Sequence, residues 1–415
     1  MTDLPQKATA GKLVVLMVTA FMDMVGVLMV VPLLPFYVKD MGAGGLVVGL
    51  LVSSFSIAQL LMAPVWGRMS DHYGRRPALL IGMTASAIAF MIFAFANSLW
   101  LLFLMRLVQG AGGGTVSVIQ AYVADALEPK DRAKGLGWLS AATNAGVALG
   151  PLLGGLALVF FGRSGPGLMA AGLCVINIAF MWRFLRESRD MTEAAAVRGG
   201  PKVLGRSRQA VWRVVSHPAE AASRLIWIYS IAIGAFQGII AILALYLAAR
   251  FGVTAHTIGY FFAYIGVLSV VSRAVILGWA VDHFGEARLS RIGSSLLALG
   301  LALLPFMRPA DNPLLTYLPL ALAVALLPLG TAFTFPCVTA LLSRVVPSSE
   351  RGLYMGVQQT FGGASRVIFP IVYGCLFDRV VELPFLLGAV LVVFTIYLGR
   401  GLGKFQTQVD ARPAT

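Results

Sequence analysis

The chain has 415 residues, 58% of them hydrophobic and 12% charged, with a mean hydropathy of +0.84. Soluble domains carry about 25% charged residues, so the composition excludes a soluble globular protein. The net charge of +14 follows a membrane pattern rather than that of a nucleic-acid partner. With the N-terminus placed in the cytoplasm, Lys39, Arg163, Arg250, Arg308 and Arg379 fall outside, and Arg106, Arg273 and Arg366 lie deep in apolar runs; the remaining Lys and Arg fall on cytoplasmic segments. This positive-inside bias puts both termini in the cytoplasm and reports contact with anionic lipid.

A hydrocarbon core of roughly 30 Å needs about 20 apolar residues per helix. Windows of that size predict spans at 13–36, 46–66, 78–96, 99–123, 135–161, 165–185, 224–248, 256–280, 290–307, 313–341, 352–376 and 383–402. The expected fold is an all-α membrane protein of twelve transmembrane helices. They form two six-helix pseudo-symmetric halves, 1–185 and 224–415, joined by a cytoplasmic linker, 186–223. The first run is long enough to span and lacks a small-residue cleavage site, so it reads as a span and not as a signal peptide.

In chain order, the first span carries Asp23 about eleven residues in, ~16 Å from the cytoplasmic end and near the midplane. Holding a charged Asp at a helix centre costs ~2.5–3.5 kcal/mol, and protonating it at pH 7 costs about 4 kcal/mol. The two are so close that hydration or a nearby positive charge tips the state, which suits a group that takes up and releases a proton. The alternative is a permanent ion pair with Arg106, whose depth is within about a turn. Next, Gly67-Arg-Met-Ser-Asp71-His-Tyr-Gly74-Arg75-Arg76-Pro77 separates spans two and three. A bilayer cannot satisfy such charges or loose backbone, so the stretch is expected to be a stiff surface hairpin, with Gly67 and Gly74 permitting the turn and Asp71 capping the next helix.

Span four places Arg106, Gln109, Gly110, Gly113, Ser117 and Gln120 on one polar, small face when projected at 100° per residue. A charged loop, Asp125 to Arg132, comes after it. Span five holds Gly146, Gly150, Pro151, Gly154 and Gly155; small residues let helices approach closely and Pro151 bends the helix, so tight packing and a gating hinge both stay open. In the linker, Arg186, Arg189, Arg198, Lys202, Arg206, Arg208 and Arg213 stand against Glu187, Asp190, Glu193 and Glu220. A flexible tether is expected there, with a surface amphipathic helix at Ala210–Val215 as the alternative.

The second half repeats the first. Gly278, Asp282 and Gly285 match Gly67, Asp71 and Gly74 at an offset of 211, and Pro370 and Gly374 fall on Pro151 and Gly155 at 219. Such internal similarity marks a duplicated transporter. The later copy lacks the double arginine, which predicts an asymmetric latch, stronger on the first half. Arg366 lies too deep to snorkel easily and shares a face with Gln359, Gly362 and Pro370; Arg273 is shallow enough to snorkel. Gln59, Gln120, Gln237, Gln358 and Asn144 read equally as substrate donors and as interhelical glue. Cys174, Cys337 and Cys375 lie in apolar spans and read as free buried thiols. His72, His217, His256 and His283 lack the spacing of a metal site or catalytic triad, and no phosphate-binding Gly-rich loop ends in Lys-Ser/Thr. Neither an enzyme, a metal nor a cofactor is expected; the energy source would be a proton gradient.

As a set, these motifs resemble the major facilitator superfamily, and most closely its twelve-helix drug:proton antiporters, over essentially the whole chain. Gly67-x3-Asp71-x2-Gly74-Arg75-Arg76 is similar to the superfamily's loop-2/3 motif, and Leu102-x3-Arg106-x2-Gln109-Gly110-x-Gly112 to its span-four motif. Gly146-x3-Gly150-Pro151-x2-Gly154-Gly155 is similar to the span-five motif of exporters, and Gly26-x5-Pro32-x2-Pro35 to the first-span signature of the drug-exporting branch. Asp23 and the run Ser98–Leu107 resemble tetracycline efflux proteins; the second half shows no comparable match to them. The resemblance implies alternating access about a central site, and a cluster of Asp71, Arg75 and Asp125 that latches the cytoplasmic side, with Arg76 beside it.

The function expected is proton-coupled export of small amphipathic compounds or drugs across the inner (plasma) membrane by a monomer. Asp23 and Arg106 are the coupling candidates. Asp23, Arg106, Gln109, Gln120, Gln237, Gln359 and Arg366 are the cavity candidates. An organic-anion or metabolite transporter, even an importer, is the first alternative, supported by the excess of deep arginine. A non-transporting sensor or lipid-handling protein is the second. The partners expected are a small-molecule substrate and the lipid bilayer, with no nucleic acid.

Overall fold

A computed structural model describes residues 4–127, 129–185, 187 and 204–402. Glu128 of the charged loop lies outside the described residues, as do Arg186, Arg189, Asp190, Glu193, Arg198 and Lys202 of the predicted linker. The described chain is helical throughout, without strand. In order the helices are α1 (Leu4–Val30), α2 (Leu34–Asp40), α3 (Gly45–Tyr73), α4 (Arg75–Ala94), α5 (Leu99–Gly112), α6 (Thr115–Ala126), α7 (Pro129–Phe161) and α8 (Gly165–Phe184). Then come α9 (Leu204–Ser216), α10 (Ala221–Phe251), α11 (Ile258–Val271), α12 (Leu277–Phe284), α13 (Glu286–Leu303), α14 (Pro313–Val345), α15 (Arg351–Arg379) and α16 (Leu383–Leu398).

Several of these join into single crossings: α1 with α2 through the Pro32 turn, α5 with α6, and α11 with α12 through a π-turn at Ser272–Ile276. Eleven of the resulting helices are long and apolar enough to cross a bilayer. The twelfth predicted span is the apolar helix α16, about 24 Å of helix from its 16 residues. The chain is thus a multi-pass membrane protein.

Span four is not one smooth helix. The run Gly112-Gly113-Gly114 opens a turn between α5 and α6, since glycine gains little from staying helical. Trp66 uses the break: its indole N–H donates to the Ala111 carbonyl at 2.5 Å, and its ring occupies the space beside Gly114 that a Cβ would fill. Of the polar face projected for span four, Arg106, Gln109 and Gly110 on α5 are buried, and Ser117 and Gln120 on α6 are exposed.

By contacts the chain forms two compact units: 1–43, 51–200 and 253–270 in the first, and 44–50, 201–252 and 271–415 in the second. Within the first, the glycine stripe of α7 seats on α1. A Cβ at Gly146 would lie 2.6 Å from the Phe21 carbonyl, and one at Gly150 2.7 Å from Leu28. Close packing of backbones is what such stripes provide, because lipid offers no hydrophobic drive between helices. Gly155, on the other side of α7, faces the His256 carbonyl and Gly259 of α11.

Within the second unit, α9 replaces the expected tether with a docked helix. Ala210 and Val214 are buried in a cluster with Leu225, Ile226, Leu342 and Tyr354, while Trp212 is 70% exposed. The amphipathic alternative is the one that formed. Cys174 and Cys337 are free and buried, and Cys375 is free and half-buried.

Candidate functional site: a buried carboxylate and two bridged turns

Asp23 sits on α1, 5% exposed, and its Oδ2 accepts a hydrogen bond from the Thr115 hydroxyl at 3.0 Å. Thr115 begins α6, directly after the glycine break, on the side of span four away from Arg106. One turn earlier on α1, Asn177 of α8 donates to the Thr19 carbonyl at 3.1 Å, and its Oδ1 is buried without a partner, as is the Thr19 hydroxyl. The one side chain hydrogen-bonded to Asp23 among the described residues is thus the neutral Thr115 hydroxyl, with no cation bonded to the carboxylate.

The ion pair with Arg106, the alternative reading of Asp23, does not form. Arg106, 3% exposed, donates through Nε to the Leu51 carbonyl at 3.2 Å and through Nη1 to Gln109 Oε1 at 2.8 Å. Its guanidinium also lies over the Phe55 ring, 4.5 Å from the centroid. These neutral partners and the aromatic face share its charge, and the Gln109 amide nitrogen stays buried and unpartnered. Asp23 and Arg106 are two separately buried ionisable groups rather than one salt bridge.

The remaining cavity candidates are less enclosed. Gln120 on α6 and Gln359 on α15 are exposed, and Gln237 on α10 and Arg366 on α15 are half-buried; none makes a side-chain hydrogen bond among the described residues. The buried glutamine of α15 is Gln358, which accepts from the Thr339 hydroxyl at 3.4 Å. Arg273 is exposed on the π-turn.

The charged stretch after span two is shorter than a hairpin loop. α3 continues through Tyr73, so Gly67 and Asp71 are helical, and Gly74 alone makes the turn, at φ 102° and ψ 162°. That region of backbone space is essentially confined to glycine. Gly67 is not needed for a turn, and a Cβ there would meet open space. Nor does Asp71 cap the next helix; its Oδ1 takes Arg75 Nη1 at 2.9 Å, one turn along.

The cap comes from Glu187, at the far end of α8. Its Oε1 accepts the Arg75 backbone N–H at 2.9 Å and its Oε2 that of Arg76 at 3.0 Å. A carboxylate at a helix N-terminus satisfies orphan donors and favours the helix dipole. Arg75, largely buried, reaches Asp125 Oδ2 at 3.0 Å and also bonds the Ser70 hydroxyl. Arg76 donates to the Trp182 carbonyl at 2.5 Å. The expected Asp71–Arg75–Asp125 cluster is assembled, and Glu187 anchors it.

The second copy carries a bridge at its turn as well, although its paired arginines are missing. Gly285 turns between α12 and α13 at φ 71° and ψ 158°. The next residue, at the place of Arg75, is Glu286, and its Oε1 takes Arg344 Nη2 at 2.8 Å. Arg344 stands 219 residues after Asp125, at the same end of span ten as Asp125 holds in span four. The same bridge is made with its charges exchanged.

Two helix crossings at the opposite ends of these spans are related in the same way. In the second unit, the first residues of α3 lie against α15: Gly49 against the Pro370 carbonyl and Gly45 against that of Gly374. In the first unit, Gly259 of α11 lies against the Pro151 carbonyl of α7. They differ in one acid. Asp378, on the last turn of α15, accepts the Gly45 N–H at 2.5 Å and the Leu46 N–H at 2.8 Å, capping α3; the matching position after Pro151 is Val159.

A sequence model of the Major Facilitator Superfamily matches residues 16–370. The chain is 26% identical over 391 residues to Multidrug resistance protein 2 of Bacillus subtilis (strain 168), covering 94% of this chain and 93% of that protein. It is 25% identical over 366 residues to Tetracycline resistance protein, class B, of Escherichia coli, covering 88% of each. Its fold is similar to the human organic anion transporter MFSD10 (TETRAN), with a TM-score of 0.69 at 22% identity over 94% of this chain and 99% of that one. The chain belongs to the Major Facilitator Superfamily, a family of membrane transporters and not of enzymes.

Proposed function

We propose that the protein is a proton-coupled secondary transporter that exports small amphipathic compounds by alternating access. It would work as a monomer in the inner membrane, with both termini cytoplasmic and the Gly74 and Gly285 turns on the cytoplasmic face. The observation that carries this reading is Asp23. It is a carboxylate buried within an apolar span, held by the Thr115 hydroxyl and bonded to no cation among the described residues. Such a group sits near the balance between its charged and protonated forms, and a change in hydration moves a proton on or off. Similarity along nearly the whole chain to multidrug and tetracycline resistance proteins supports the exporting direction. The proton gradient supplies the energy, with no further cofactor.

A second reading concerns cargo charge. Arg106 is buried on neutral partners with no carboxylate opposite it among the described residues, and the field it leaves favours anionic or zwitterionic compounds over permanent cations.

Both readings are tested in proteoliposomes under an imposed pH gradient, offering tetracycline, ethidium and a fluorescent organic anion in turn. Gradient-driven movement of at least one probe, collapsed by a protonophore, is expected, with the permanent cation ethidium moved least. Movement indifferent to the gradient would overturn the coupling, and a preference for ethidium would overturn the cargo reading.

A further inference from the structure

A groove of about 480 Å³ runs along the outside of the second unit, lined by Arg288, Arg291, Ile292, Ser295, Leu296 and Leu299 of α13 and by Ile396 of α16. Its mouth is basic and its floor apolar. Arg288 is exposed and makes no hydrogen bond or ion pair among the described residues. Arg291 donates through Nε to the Ala287 carbonyl at 3.4 Å, leaving its terminal nitrogens uncommitted among the described residues. Its stem lies against Gly399, where an added Cβ would come within 3.3 Å of Arg291 Cγ. The acid nearest in sequence, Glu286, is taken by Arg344.

Three physical features choose the occupant. Two adjacent guanidinium groups without carboxylate partners are suited to a phosphate oxyanion. The end of α13 that bears them is the one that the positive-inside bias puts on the cytoplasmic side, where anionic lipid attracts basic residues. From Arg288 to Leu299 the groove follows eleven residues of helix, about 16 Å, close to half of a hydrocarbon core of roughly 30 Å. A free phosphate would use only the mouth; a lipid in one leaflet uses the whole length.

We propose that this groove is a binding site for an anionic phospholipid, its phosphate held by Arg288 and Arg291 and one acyl chain lying along Ile292, Leu296, Leu299 and Ile396. Ser295 sits midway, small enough to leave the channel open. The site is separate from the Asp23 region and does not depend on the transport reading.

Native mass spectrometry of the purified full chain, titrated with phosphatidylglycerol and with phosphatidylcholine, tests it. The wild type retains phosphatidylglycerol in preference, and the double variant Arg288→Ala/Arg291→Ala binds it about thirtyfold more weakly, as expected for two lost basic contacts at a membrane surface. Ser295→Trp keeps both arginines and plugs the groove, so it too releases the lipid. Arg183→Ala, an exposed arginine at the end of α8, leaves retention unchanged. If both groove variants retain phosphatidylglycerol like the wild type, or if Arg183→Ala loses it equally, the site is disproved. Displacement of the lipid by equimolar inorganic phosphate would likewise overturn it in favour of a simple anion site. Thermal unfolding in phosphatidylcholine confirms that each variant is folded.

Discussion

At Gly74 the chain turns from span two into span three, and at Gly285 from span eight into span nine, both on backbone angles that side chains other than glycine rarely adopt. Each turn is followed at once by a charged residue that bridges to the end of the helix two spans later: Arg75 to Asp125 at 3.0 Å, Glu286 to Arg344 at 2.8 Å. What the duplication keeps is the bridge and not the sign of either partner, because attraction between opposite charges is unchanged when they are exchanged. The copies diverge around that bridge. The first adds Asp71, Ser70 and a carboxylate cap from Glu187; in the second, Glu286 Oε2 is buried without a hydrogen-bond partner. The first turn is thus fastened from three helices, and the second chiefly by its one bridge.

The widest effect expected within this comparison comes from making the first copy resemble the second. Arg75→Asp places a third carboxylate beside Asp71 and Asp125, at a cost of about 3 kcal/mol or more for an uncompensated, mostly buried charge. Adding Asp125→Arg restores a bridge of the second copy's polarity and is expected to recover most of the loss, read as the melting temperature of the purified protein. A double variant no better than the single one would break the equivalence of the two turns.

Gly74→Ala comes next. Backbone strain of about 1–3 kcal/mol is joined by a Cβ that would lie 2.5 Å from Glu187 Oε2. Gly285→Ala meets the same kind of backbone strain, and both variants are expected to unfold at a lower temperature than the wild type. Glu187→Gln removes a charge-assisted cap and costs about 1 kcal/mol, with faster amide exchange in the first turn of α4. Gly67→Ala is the smallest: helical, in open space, it is expected to be neutral or to stabilise by about 0.5–1 kcal/mol. A marked loss there would mean that Gly67 is required by another conformation of the transporter.

The spans were legible because apolar length is a direct requirement of the bilayer, and the Arg75–Asp125 bridge because family spacing resolves it. Glu187 was not, since it stands 112 residues beyond the backbone it caps, and a cap of that reach leaves no local pattern. Thr115 was missed because span four was read for the polar face that carries Arg106, and Thr115 falls on the opposite one, where a lone hydroxyl gives no signal. Glu286 and Arg344 escape a comparison of the two copies by residue type, because what they share with the first copy is an interaction with its charges exchanged. Asp378 was hidden for a related reason: its partners are backbone N–H groups, which every sequence contains.

The claim that proton exchange at Asp23 drives transport has one direct measurement. In proteoliposomes, Asp23→Asn is compared with wild type for substrate counterflow without a gradient and for accumulation driven by an imposed pH gradient. Counterflow is expected to persist, because the asparagine keeps the shape and the contact with Thr115, while gradient-driven accumulation and substrate-evoked proton release fall to background. Accumulation undiminished in Asp23→Asn would contradict it and remove Asp23 from the coupling step.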